Sequence, residues 1–158
     1  MNNDKIFVVI KGEYDYESSS SSPIYSTFDR AKAEAKVAEM TELKARVLAA
    51  KAQIDAHTEA WRQANPRAEM GKAKLKPEPT FPGKKKDWTK EQKDEHKRIV
   101  KLNFDAAMEA TKPMLNWSNR LYEEYQRKTD ELPQDIQDNL LYISKDTQFD
   151  IEEVPFEH

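Results

Sequence analysis

Residues 29–64 read DRAKAEAKVAEMTELKARVLAAKAQIDAHTEAWRQA, a stretch without proline or glycine in which apolar residues recur every seven positions. Ala33, Met40, Val47, Ile54 and Trp61 share one heptad position; Leu43, Ala50, His57 and Ala64 each follow by three residues. That spacing lines both sets along one face and predicts a helix over 29–64, spoiled only by Lys36 at the first d position. Ser26 with Asp29 three residues on matches a capping box, so the helix is expected to start there. At a rise of 1.5 Å per residue it would be roughly 55 Å long, too long to bury its seam alone. It needs a partner.

The partner is expected over 88–131, where Thr89 and Gln92 form a second capping box. A looser stripe follows through Val100, Phe104, Ala107, Thr111, Met114, Ser118, Leu121, Tyr125 and Leu132, with polar Lys128 on the same line. Pro113 predicts a kink or a break into two helices. Two antiparallel helices joined by residues 65–87 make a helical hairpin, read here as a coiled-coil-like arm. The same seam offers a homodimer, but a second amphipathic segment in the same chain favours the hairpin and hence a monomer. The connection holds four prolines and two glycines and is expected to be irregular. A closed connection needs about 2–8 residues, so most of this one is excess.

The ends read as strands. Lys5-Ile6-Phe7-Val8-Val9-Ile10-Lys11 is apolar at both parities, as in a strand covered on both faces, and Gly12 punctuates it. Ser18–Ser22 reads as a flexible loop, with phosphorylation as the other reading, before a short strand Ile24-Tyr25-Ser26. After Pro133 a helical turn is expected through Asp138, followed by strands over Leu140–Ser144 and Thr147–Val154. The predicted class is α+β with helix dominant, in a single domain over 1–158. A small antiparallel sheet would come from 1–28 and 140–156, and the helical arm from 29–64 and 88–131.

Composition narrows the chemistry. Apolar residues make up 37% and charged residues 35% of the 158, with a net charge of −3. No apolar run is long enough to span a membrane and no secretory leader is evident, so a soluble protein is expected. There is no cysteine, which removes disulfides, thiol nucleophiles and cysteine-based zinc sites and suits a reducing cytosol. Only three glycines and three histidines are present, too few for a glycine-rich phosphate loop or a histidine metal site. His57 falls on the seam, His96 in a charged run and His158 at the end. Glu13, Asp15 and Glu17 could face Asp150, Glu152 and Glu153, holding a divalent metal or a carboxylate pair, or simply forming a solvated acidic edge. The last reading is preferred, so no enzyme activity, metal or cofactor is expected.

Charge is segregated instead. Residues 67–101 carry 12 Lys/Arg against 6 Asp/Glu, while residues 130–158 carry 9 acids against Lys145 alone. In a hairpin, Trp61 and Trp88 would approach the same end, with Arg67, Lys72, Lys74, Lys76, Phe81, Lys84, Lys85 and Lys86 between them. Cations interleaved with aromatics suit phosphate contact with base stacking, or an acidic protein surface with aromatic anchors. The plainer alternative is that the tryptophans pack on each other and the lysines keep a loop in solution.

The ends resemble a diffuse group of small uncharacterised proteins of bacteriophages and bacteria. The resemblance rests on Val8-Val9-Ile10-Lys11-Gly12-Glu13-Tyr14, on Tyr25-Ser26-Thr27 leading to Ala31 and Ala33, and on Phe149-Asp150-Ile151-Glu152-Glu153-Val154. It covers residues 5–40 and 140–156 and implies the sheet and a phage or bacterial origin, with no catalytic residues to carry over. The expected function is a non-enzymatic cytosolic interaction protein that binds and inhibits a host or phage macromolecule. A protein partner is the first expectation; a nucleic-acid-binding accessory protein using the basic tip is the alternative.

Overall fold

A computed structural model describes residues 5–15 and 18–155. Its elements in order are β1 (Lys5–Asp15), β2 (Ser18–Thr27), α1 (Arg30–Ala64), a 3-10 turn (Lys85–Asp87), α2 (Lys90–Asp130), α3 (Gln134–Gln137) and β3 (Thr147–Pro155). The class is α+β and helix-dominant, as the heptad pattern requires. The chain divides into two compact units, Met1–His57 with Gln126–His158, and Thr58–Tyr125.

In the first unit β1 is the central strand of an antiparallel sheet in the order β2-β1-β3. Its Val9 is fully buried. The serine tract is not a loop: Lys11 pairs with Ser22, Glu13 with Ser20 and Tyr14 with Ser19. Backbone hydrogen bonds to an apolar neighbour strand suffice to order it, whatever the weak strand propensity of serine. Pro23, which cannot donate, sits on this edge strand where the register slips between Val9 and Ile10. Gly12 does not end β1 either; the Tyr14 ring lies where a Cβ at position 12 would project.

The seam of α1 is covered along most of its length: Ala33, Val47, Ala50 and Ile54 are buried and Met40, Leu43, His57 and Trp61 half-buried, while Ala64 at its end is exposed. Val47, Ala50 and Ile54 join Ile136, Leu140 and Ile143 in one core cluster, with Leu43, Leu132 and Phe149 packed against it. Leu140–Ser144 is not a strand. After α3 the chain winds through turns, with Tyr142 and Ile143 N–H both donating to the Asn139 carbonyl. This carries Leu140 and Ile143 onto α1. Lys44 Nζ then donates to the Lys145 and Thr147 carbonyls (2.9 and 2.5 Å), and Lys51 Nζ to the Ile143 carbonyl (2.6 Å). Helix lysines thus satisfy carbonyls that a strand partner would otherwise take.

The cap of α1 is Asp29, whose Oδ1 accepts from Ala31 N–H (2.9 Å) and Lys32 N–H (3.4 Å); Ser26 is still in β2. At α2 the expected box forms in full: Thr89 Oγ1 accepts from Gln92 N–H (3.2 Å) and Gln92 Oε1 from Thr89 N–H (2.9 Å). Pro113 does not break α2, which continues from Lys90 to Asp130.

In the second unit, residues 65–87 are a strap laid along α2 rather than a loop at a tip. Asn65 meets Trp117, Gly71 meets Ala110 and Lys76 meets Asn103, in descending order along the helix. The excess length is therefore used. It covers the part of α2 that precedes Trp117.

Candidate functional site

The strap is held by hydrogen bonds more than by apolar bulk. Asn103 closes a two-bond clamp on the Lys76 backbone, accepting its N–H and donating to its carbonyl, both at 2.8 Å. Trp117 Nε1–H donates to the Asn65 carbonyl (2.7 Å). Gly71 N–H donates to the Ala110 carbonyl (2.8 Å). Proline at 113 withholds the backbone donor that would bond the Glu109 carbonyl and crowds the turn before it, next to the Ala110 carbonyl that Gly71 meets. A Cβ at Gly71 would stand only 3.4 Å from that oxygen, which is why the backbone comes this close at a glycine.

This docking decides which side of α2 is covered. Ile99, Asn103, Ala106, Ala110, Met114, Trp117 and Leu121 form the covered line. Of the stripe expected from apolar spacing, only Met114 and Leu121 lie on it. Val100, Phe104, Ala107, Ser118 and Tyr125 are exposed, Phe104 by 63%. The physical reason is that a proline-rich strap offers backbone rather than side-chain bulk. It selects a face with small residues for close approach and polar groups for its N–H and C=O, shifted by one residue, about 100°.

The strap also separates the two tryptophans. Trp61 packs against Trp117 (ring centroids 5.7 Å apart) with the Arg120 guanidinium 5.8 Å over its ring. Trp88 packs edge-on against Phe81 (5.1 Å) and beside His96 (5.3 Å). His96 and Trp117 are 21 residues apart on α2, roughly 30 Å. The expected single aromatic tip is two aromatic clusters.

The lysines cluster with the second of these. Gly83, at φ 86°, reverses the strap into the 3-10 turn. Asp87 N–H donates to the Lys84 carbonyl (2.8 Å) and Lys93 Nζ to the Lys86 carbonyl (3.1 Å). Lys84, Lys85 and Lys86 are exposed on this fixed turn, and Lys72, Lys74 and Lys76 are exposed along the strap. Glu78 lies 3.6 Å from His96. The Trp88 indole N–H is buried without a hydrogen-bond partner, the one such side-chain atom among the described residues. Beside the turn, Lys85, His96, Lys97, Val100, Lys101 and Phe104 line an open cleft of about 380 Å³.

Among the described residues the carboxylates do not assemble. In the β1–β3 register Glu13 stands opposite Thr147, Ile10 opposite Asp150 and Phe7 opposite Glu153, so the acids are spread along the sheet. Glu13 pairs with Lys11 (3.0 Å), and Glu153 with Lys5 (2.8 Å) and Arg30 (3.1 Å). Glu17, His158 and the side chain of Asp15 lie outside what the structure describes. Among the described residues no group of three or more His, Asp or Glu could hold a metal ion. His57, on the seam, lies 3.5 Å from Arg127 and borders a cleft with Gln53, Lys128 and Glu131. The Glu131 carboxyl is held below its ordinary value, first by a hydrogen bond from Lys128 and then by the charges of Lys128, Arg127 and His57. No described helix is long and apolar enough to cross a membrane. Comparisons with protein-family models, with curated proteins and with solved structures found no match to this chain.

Proposed function

We propose that this chain is a non-enzymatic interaction protein that binds an acidic surface of another protein through the lysine-bearing turn before α2, modulating that partner by occupying it. One observation carries the reading: Lys84, Lys85 and Lys86 are exposed on a turn held by the Asp87–Lys84 and Lys93–Lys86 bonds and by the Phe81–Trp88 contact. A turn whose backbone is already fixed loses only side-chain freedom on binding, whereas a loose lysine loop would have to surrender backbone freedom as well. The ring geometry favours protein over nucleic acid. Trp88 and Trp61 are half-buried and already packed with Phe81, His96, Trp117 and Arg120, whereas base stacking needs exposed rings beside the cations. Trp88 accordingly serves as an anchor of the turn rather than of the partner.

The resemblance of the chain ends to phage and bacterial proteins makes a bacterial lysate the source of candidate partners. The experiment is capture from nuclease-treated lysate, then kinetics of the captured protein against the parent chain and a Lys84→Ala, Lys85→Ala, Lys86→Ala variant. Association should slow about tenfold or more in the variant, with the difference fading as salt rises and dissociation little changed. A triple variant that binds as fast as the parent contradicts the reading. So does capture that disappears with nuclease treatment.

A further inference from the structure

α2 leaves one flank open along most of the second unit. Phe104, Met108, Leu115 and Tyr122 are exposed by 63, 45, 44 and 64%, and Val100 by 40%. With Ala107, Thr111 and Ser118 they form a line from Val100 to Tyr122 that contains no charged residue, in a chain that is 35% charged. A charge-free stripe of this length on an isolated surface marks an interaction site.

We infer that this stripe is a homodimer interface, in which α2 of one copy lies antiparallel to α2 of a second about a two-fold axis near Pro113. An isologous contact requires each position to meet its mirror position. Here Phe104 and Tyr122 lie nine residues either side of 113, Met108 and Ser118 five, and Thr111 and Leu115 two. The inner two layers each set a large side chain against a small one, which lets two helices keep an even separation. The outer layer sets the exposed Tyr122 over the cleft floored by Val100 and Phe104, whose rim lysines can also lie against a tyrosine ring. Lys101, whose mirror position is 125, comes within two residues, about 3 Å of helix rise, of Glu123 of the second copy, and the reciprocal pair forms on the other side of the axis. The five exposed apolar side chains offer on the order of 600 Å² per copy, near the ~800 Å² of a standard interface once flanking residues are added. The α1 seam is not the contact, because Val47, Ala50 and Ile54 are buried within the chain.

The test uses sedimentation equilibrium across a concentration series, with the fold followed by circular dichroism. The parent should dimerise with a Kd in the micromolar range, about what a small interface supports. Phe104→Glu should weaken the dimer about 100-fold or more, since each substitution places two charges in the contact, and should leave the spectrum unchanged because the position is exposed. Lys84→Ala with Lys86→Ala, neither of which lines the cleft, should leave the dimer intact, keeping this contact distinct from the proposed partner surface. Orientation is read by cross-linking, which the absence of cysteine makes clean. Lys101→Cys mixed with Glu123→Cys should link through a short bismaleimide, and Lys101→Cys alone should not. A parent that stays monomeric throughout the series, a Phe104→Glu variant that dimerises as the parent does, or linkage of Lys101→Cys to itself would each overturn the inference.

Discussion

Asn103 holds a place on α2 that a search for apolar periodicity passes over, yet its amide makes both hydrogen bonds that a strand neighbour would offer the Lys76 backbone. Net hydrogen-bond contributions of about 1 kcal/mol each make Asn103→Ala cost about 1–2 kcal/mol of stability. The Lys76 amide should then exchange with solvent much faster, while amides of β1 keep their protection. Unchanged exchange at Lys76 would show that the clamp does not hold the strap. The signal was present in the sequence: Asn103, Ala106, Ala110, Met114, Trp117 and Leu121 are themselves spaced by three and four. It was illegible because two polar-capable and two small residues score below Val100 and Phe104 on any hydrophobic count. The partner that made them preferable was a backbone segment, which leaves no apolar pattern of its own.

Among the elements, α1 was readable and β2 was not, for the same kind of reason. The α1 seam meets side chains, so seven-residue spacing reports its burial directly. The serine tract meets the backbone of β1, and its register is set by that neighbour rather than by its own side chains. The turns over 139–143 escaped too, because the short apolar run Leu140-Leu141-Tyr142-Ile143 fits a buried strand as well as a coil that presents Leu140 and Ile143 to α1. The last strand was found, and its Glu153 ties it to β1 through Lys5 and to the start of α1 through Arg30. The Glu153 carboxyl lies below its ordinary 4.5, chiefly through the Lys5 hydrogen bond and then the charges of Lys5 and Arg30. A depressed folded-state value means the unfolded chain takes up the proton first as pH falls. The stabilisation is therefore complete above 4.5 and is lost as pH drops through the lower folded value. Glu153→Gln should lower the urea midpoint slightly at neutral pH, the pair being exposed, and the gap to the parent should close on acidification below that range. A gap that persists in acid would contradict the assignment.

At the scale of the whole molecule, the 65–87 strap, rather than a side-chain seam, decides which face of α2 is covered. The proposed partner surface and the proposed dimer both depend on it: the strap fixes the lysine turn at one end and turns Phe104 and Tyr122 to solvent. A hairpin sealed by Val100, Phe104 and Ser118 would present neither. A cysteine scan along residues 99–122 of the otherwise cysteine-free chain reads the covered face directly, through thiol labelling rates in protein dilute enough to be monomeric. Positions 100, 104, 108 and 115 should label fast, and positions 99, 103, 106 and 110 slowly. Fast labelling at 103, 106 and 110 with protection at 100 and 104 would contradict the strap's role.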